Sequence, residues 1–258
     1  MNFPIKRYTC YTSVFGNYEP VWPPFQPDSV IDYVMLSDEA PQAGTWITEI
    51  VDATNFGSPR LANRFQKMRF HETLPSDHFS VYIDANIRQV ASLVPLFREF
   101  ERSGADIGLY RHYSRHSVEA EASACIARNK VEHPETVGPE LAFYKTEGFP
   151  DQGGLWEGSI IFKRHDSEKL QNAMREWWNL YSRFQTRDQF SLPFIIWKHD
   201  LQVFDLGSDS SGLPKPFVHL QHSRSTLRHK LARYLQARSA ENALWNFSHK
   251  VARIVDRN

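Results

Sequence analysis

The chain has 258 residues, 41% of them apolar and 23% charged, which suits one compact domain with a large core and excludes wholesale disorder. Lys plus Arg equals Asp plus Glu at 30 each, so the total charge carries no footprint of nucleic-acid binding, and none is expected. Two cysteines, Cys10 and Cys125, make no disulfide framework and are expected to be reduced core thiols.

The opening MNFPIKRYTC has no long apolar run, so no signal peptide is expected. No stretch approaches the roughly 18 uninterrupted apolar residues of a membrane span. A soluble, cytoplasmic protein follows as the expectation.

Residues 7–16 read as a strand ending in a glycine-containing loop, followed by the Pro-rich 19–28. Strands are expected at 32–38 and 45–52. Ser58 as cap and Pro59 as first residue open a helix over 58–74, with Leu61, Phe65 and Met68 at helical spacing. HFSVYIDANI (78–87) is a fourth strand. This alternation is the grammar of an α/β sheet that binds ligands at its strands' carboxyl ends. A helix over 90–104 closes at Gly104, and 106–112 is a strand. Helices are expected over 117–130 and near 138–147, then a strand at 155–165. Asp166 or Ser167 caps a helix, and 186–199 is helical despite Pro193.

The stretch 207–223 reads as linker and 224–258 as a tail, leaving 1–206 as the domain. The tail holds eight Lys or Arg and two acids, a net +6 hidden by the neutral total. Leu227, Leu231, Tyr234 and Leu235 recur in it at helical spacing. Two readings stand: a solvated helix packed on the core, and a basic amphipathic surface resting on an anionic membrane.

In YIDANI, Asp84 and Asn86 stand at i and i+2 where a strand leaves a sheet. Two oxygen ligands so placed reach one hard ion, and Asp-x-Asp is the usual form. An Asp capping a turn is the plainer reading. RHYSRHSVEAEA (111–122) offers Arg111 or Arg115 to phosphate oxygens, while Glu119 and Glu121 suit a helix start without any function. Glu157, beside Gly158, and Asp188, at a helix start, are candidate acids for deprotonating a hydroxyl; N-capping also explains Asp188. In HLQH, His219 or His222 is a candidate late metal ligand.

Five blocks resemble one family: NRFQKMRFHETLPSDHFSVYIDANI, RHYSRHSVEAEASACI, ELAFYKTEGF, LWEGSIIFKRH and RFQTRDQFSLPFIIWK. They lie in order over roughly residues 8–200. The family is the glycosyltransferase-like domain family of plant mucilage and turgor-regulation proteins and of bacterial polysaccharide-locus proteins. The resemblance implies a GT-A fold: one nucleotide-binding domain with a mixed, mainly parallel sheet flanked by helices, plus a helical tail. It implies transfer of a sugar from a nucleotide-sugar donor, UDP-linked above all, to a hydroxyl of a glycan or lipid-linked glycan in bacterial surface polysaccharide synthesis.

 The transferred sugar is expected to be a hexose.

In that family's pattern, Asp84 and Asn86 fall on the strand-end motif and would bind Mn or Mg on the donor diphosphate. Arg64 and Lys67 fall on a basic helix that neutralises it. Arg111 and His112 would complete the donor side, and Glu121, Arg187 and Gln189 the acceptor side. Glu157 and Asp188 would be catalytic. Outside that pattern, His219 or His222 of HLQH would add a late metal ligand. Fold analogy adds Thr12, Phe15, Gly16 and Asp38 as the base and ribose pocket. Ala85 and Ala120 depart from the family's commoner residues. A lipid-linked acceptor would give the basic tail a purpose, holding the protein at the inner membrane face. The rival expectations are a metal-dependent hydrolase of ceramidase type and a non-catalytic sugar-nucleotide or glycan-binding module.

Overall fold

The computed structural model describes residues 7–39, 44–75, 77–208, 216–220, 231, 234–235 and 238–239. Its strands are β1 (Tyr8–Val14), β2 (Ile31–Ser37), β3 (Ile47–Ile50), β4 (Phe79–Ile83), β5 (Ile87–Gln89), β6 (Ile107–Arg111), β7 (Trp156–Arg164), β8 (Val203–Ser208) and β9 (Phe217–His219). Its α-helices are α1 (Pro59–Arg69), α2 (Val94–Ser103), α3 (Val118–Ala127), α4 (Val137–Thr146), α5 (Glu168–Phe184) and α6 (Asp188–Lys198).

Seven strands form one sheet in the order β3-β2-β1-β4-β7-β6-β8, and β5 pairs with β9 in a separate ribbon. Only β7 runs against its neighbours. The other six therefore direct their carboxyl ends to one edge, where β7 presents its amino end. The strand order reverses between β1 and β4. Chain leaving these two strands diverges there, at the switch point where ligands usually bind in such sheets.

Side chains alternate between two cores. Tyr11, Leu36, Tyr82 and Ile161 face α1, α3, α5 and α6, whereas Cys10, Val81 and Phe162 pack with Phe97 and Phe100 of α2. β1 and β2 are buried almost throughout, as expected of central parallel strands covered on both faces. Both thiols are free and buried.

The helix starts follow local chemistry. Ser58, Ser117 and Ser167 each accept a hydrogen bond from the backbone three residues on. Pro59 opens α1, and Gly104 ends α2 in the left-handed conformation. The expected cap at Asp188 is corrected: Arg187 occupies the N-cap, and the Asp188 carboxylate turns inward to Lys67.

The expected strand 78–87 is interrupted. Ile87 N–H closes a turn on the Asp84 carbonyl at 2.8 Å, and β5 leaves the sheet to pair with β9. β5, β8 and β9 have no periodic signature in the sequence, being short or bordered by turn residues. β9 lies within the stretch read as linker.

β7 also carries an irregularity. It pairs Ile161 with Leu109 but Glu157 with Tyr110, so three residues, 158–160, have no counterpart on β6. Consequently Trp156 joins the same core as Ile161, although it lies five residues away. Most of the tail, and His222, lie outside the described residues. Within the tail, the Tyr234 ring stands 6.0 Å from that of Trp22. No helix among the described residues is long and apolar enough to cross a membrane.

Candidate active site

Lys67 is the centre of a charged cluster at the switch point between β1 and β4. It sits in the last turn of α1 with its side chain 2% exposed, and its ammonium donates to Asp188 Oδ2 at 2.5 Å. The same nitrogen lies 3.6 Å from Asp84 Oδ1 and 5.1 Å from the centre of the Tyr82 ring. Arg64, one turn earlier on α1, brings Nε within 3.3 Å of the same Asp188 oxygen. Two cations thus converge on one buried carboxylate.

The floor beneath Lys67 is fixed as well. Its carbonyl, one of those a helix end leaves without a partner, accepts from Tyr11 Oη at 3.0 Å and Lys163 Nζ at 2.5 Å. Lys163 also donates to Tyr11 Oη at 2.8 Å. Burial, with Lys67 nearby, holds the Lys163 amine well below the usual lysine range. Gly158, in the irregular part of β7, leaves room above: a Cβ there would stand 3.4 Å from Lys67 Nζ.

Burial alone would raise the Asp188 pKa, but Arg64 and Lys67 hold it well below the usual carboxylate range. A carboxylate so stabilised is a weak proton acceptor, and its geometry suits orienting two cations. Asp84 differs. Its side chain is 32% exposed, and Oδ1 accepts the Tyr82 hydroxyl at 2.9 Å. It is the more exposed of the two acids in this cluster.

Asn86 donates its amide to the Leu220 carbonyl at 3.2 Å, and Leu220 N–H returns a bond to the Asn86 carbonyl at 2.7 Å. His219 pairs across from Ile87 in the same ribbon. No group of three His, Cys, Asp or Glu suited to a metal occurs among the described residues. One carboxylate and one amide oxygen do fit a hard ion that takes its remaining ligands from substrate phosphates and water, as Mg ions commonly do.

The expected base and ribose residues divide. Gly16 N–H donates to both Asp38 oxygens, at 3.0 and 3.1 Å, bridging the ends of β1 and β2. Gly16 has φ of +64°, and a Cβ there would lie 3.0 Å from Pro59 Cγ, so glycine is required. Thr12 and Phe15, at 0% and 2% exposure, lie inside the wall behind that edge.

The remaining candidates form a second knot. Arg111 Nε donates to Asp205 at 2.6 Å, with its guanidinium 4.7 Å from the Trp156 ring centre. His112 Nδ1 accepts from the N–H groups of Ser114 and Arg115 at 3.2 and 3.0 Å. Burial, then Arg115, lowers the His112 pKa. Glu121 is buried and ion-paired with Arg115, and it accepts Cys125 Sγ at 3.1 Å. Arg187 and Gln189 flank Asp188 half-buried, and Glu157 is half-buried beside Gly158.

The structure therefore gathers Arg64, Lys67, Asp84 and Asp188 by direct contact. It holds Arg111, His112 and Glu121 in a separate network along β6 and α3. Sequence reasoning missed Tyr11, Tyr82, Gly158 and Lys163. A signal existed for Lys163, a charge inside the apolar run IIFKRH, and for Tyr82, placed two residues before Asp84 on the same strand face.

Solved structures that superpose on the chain include the apo form of mouse xyloside xylosyltransferase 1, at 11% identity and TM-score 0.44, over 79% of this chain and 85% of that one. The galactosyltransferase LgtC in complex with donor and acceptor sugar analogs superposes at 13% identity and TM-score 0.44, over 76% and 72%. The glycosyltransferase GlyE of Streptococcus pneumoniae TIGR4 does so at 11% and 0.42, over 79% of this chain and 45% of that one. No curated protein matches the sequence. The family model described as TOD1/MUCI70, glycosyltransferase-like domain, matches residues 28–206, which include Arg64, Lys67, Asp84 and Asp188. By that match the chain belongs to the TOD1/MUCI70 glycosyltransferase-like domain family.

Proposed function

We propose that the protein is a GT-A-type glycosyltransferase that moves a hexose from a nucleotide-sugar, with UDP as the favoured nucleotide, to a glycan hydroxyl. The observation that carries this reading is the Arg64–Lys67 pair held by Asp188 beside the half-exposed Asp84, at the switch point between β1 and β4. A nucleoside diphosphate leaves readily only when its developing charge is met by fixed positive charge. Lys67 and Arg64 supply that charge on a rigid helix.

Asp84 and Asn86 would hold a Mn or Mg ion arriving with the diphosphate, and such an ion supplies Lewis-acid charge neutralisation. His219 stands across β5 as a further candidate ligand. Gly16 and Asp38 would address the nucleoside. Glu157, half-buried beside Gly158 on β7, is the candidate base for the acceptor hydroxyl; Arg111 and His112 would complete the donor side, and Glu121, Arg187 and Gln189 would line the acceptor approach. Asp188 orients the cations and takes no proton. The acceptor would be a bacterial surface glycan, lipid-linked where the basic tail rests on the inner membrane face. In this reading 1–206 with the β9 ribbon is the catalytic unit and 224–258 the membrane-directed tail.

Calorimetry with UDP-, GDP- and CMP-sugars, with and without Mn, tests the proposal. Binding of one of them, abolished in Lys67→Met and weakened in Asp84→Ala, is the expected result. No response across the panel would overturn it, and binding without turnover toward any glycan would leave a binding module.

A further inference from the structure

Glu140 is a buried acid with no part in the site as described so far. It belongs to ELAFYKTEGF on α4 and is 1% exposed. Its carboxylate accepts from Tyr144 Oη, one turn along the same helix, and from Thr186 Oγ1, across the packing interface. Ser191 of α6 lies beside Tyr144. No cation is among the partners of Glu140 in the described residues. Burying a carboxylate against hydroxyls alone is unfavourable, and a glutamine of the same shape would avoid the charge.

The arrangement has a geometric consequence. Thr186 immediately precedes Arg187 and Asp188. Its carbonyl accepts from Arg60 Nη2, while Arg60 Nε donates to Tyr181 Oη at 2.7 Å and Nη1 pairs with Glu132. The Asp188 carbonyl accepts Trp177 Nε1 at 3.1 Å. The segment leading into α6 is thus held at its backbone by Arg60 and Trp177, and at its side chain by Glu140. α6 has no side-chain cap to do this work.

We propose that Glu140 is a positioning residue for the candidate active site, acting through Thr186 to set the Asp188 carboxylate against Lys67 and Arg64. It contacts neither substrate nor reacting atoms. A charged acceptor holds two hydroxyls more firmly than an amide does, which is the gain obtained from the unfavourable burial.

Burial pushes the Glu140 carboxyl up to about 7, against the opposing pull of its bonds from Thr186 and Tyr144. A carboxyl raised above its ordinary 4.5 contributes stability that is full below that value and lost as pH rises through about 7. Glu140→Gln should therefore raise Tm at pH 8 while loosening the segment it positions. A residue serving only packing would lower Tm.

The test uses the full chain with Glu140→Gln and Thr186→Val. Amide hydrogen exchange over 185–190 at pH 8 is expected to quicken about fivefold in both, the equivalent of one weakened hydrogen bond. The kinetic arm rests on the proposed glycosyl transfer. There kcat should fall about tenfold at pH 8 with donor KM within about threefold, and the loss should vanish near pH 5.5, where the wild-type carboxyl is protonated too. Unchanged exchange, or a lower Tm with protection lost throughout the chain, would overturn the proposal. If the wild type turns over no nucleotide-sugar, the functional reading falls, and the exchange and Tm results still decide the role of Glu140.

Discussion

Asp188 and Lys67 show how two charges become useful by being held still. Each is almost inaccessible, and each is the other's nearest partner. Removing one partner of such a pair leaves the other buried without compensation. Asp188→Asn should therefore destabilise the chain by about 3 kcal/mol, measured by urea unfolding. A change within the error of that measurement would show that Asp84 alone balances Lys67. Gly16→Ala is a second prediction at this scale. Its φ and the approach of Pro59 should make it unfavourable by about 2 kcal/mol, whereas Gly148→Ala, with a positive φ but nothing within 4 Å, should be milder. Asp84 and Lys67 were legible in the sequence because their chemistry is local to a motif. Lys163 left a trace, a charge inside an apolar run, but its bonds to Tyr11 and to the Lys67 carbonyl join segments that only the folded core brings together.

α1 gathers the functional groups since its sequence fixes three things at once. Ser58 and Pro59 set where it starts; Leu61 and Phe65, half-buried, and Met68, fully buried, anchor it; Arg64 and Lys67, three residues apart, share the side that meets Asp188. These features could be read in advance. The pinning of its far end by Tyr11 and Lys163 could not, because it joins residues 56 and 96 positions distant from Lys67. Lys163→Met keeps the length and removes the amine. We expect only a small stability change, about 1 kcal/mol by denaturation, with nucleotide-sugar affinity reduced about tenfold in calorimetry. Equal affinity in variant and wild type would show that Tyr11 suffices. The β5–β9 ribbon was illegible for another reason: three-residue strands are specified by their partner rather than by a pattern of their own.

At the scale of the molecule, the far end of β4 holds a set of histidines away from the switch point. His165 Nε2 meets Ser80 Oγ at 2.8 Å, and the His71 and His78 rings stand 5.7 and 6.3 Å from that of His165. Burial, then Lys163, lowers His165 to about 3 and His71 well below its ordinary 6.5. Depressed pKa values mean that both stay neutral in the fold and take protons only on unfolding. The stabilisation from His165 is full above 6.5 and is lost as pH falls from there toward about 3, and that from His71 is lost in the same direction. His165 should remove roughly 1.4 kcal/mol per pH unit below 6.5, and His71 adds to the loss in the same direction. Urea midpoints between pH 7 and 5 should show this slope, and His165→Gln should flatten it. A slope unaltered by that substitution would place the acid sensitivity elsewhere.

The unmatched residues 158–160 of β7 have a practical corollary. Along an extended strand three residues span about 10 Å, so the two ends of β7 answer to different neighbours. From Ile160 to Arg164 its register is dictated by β4; at Trp156 and Glu157 it is dictated by β6. A loop exchange at 150–156 can therefore alter the mouth of the candidate site without shifting the ladder behind Asp84. The protein has, in effect, a mechanical joint between the part that would grip the donor and the part that would choose what receives the sugar.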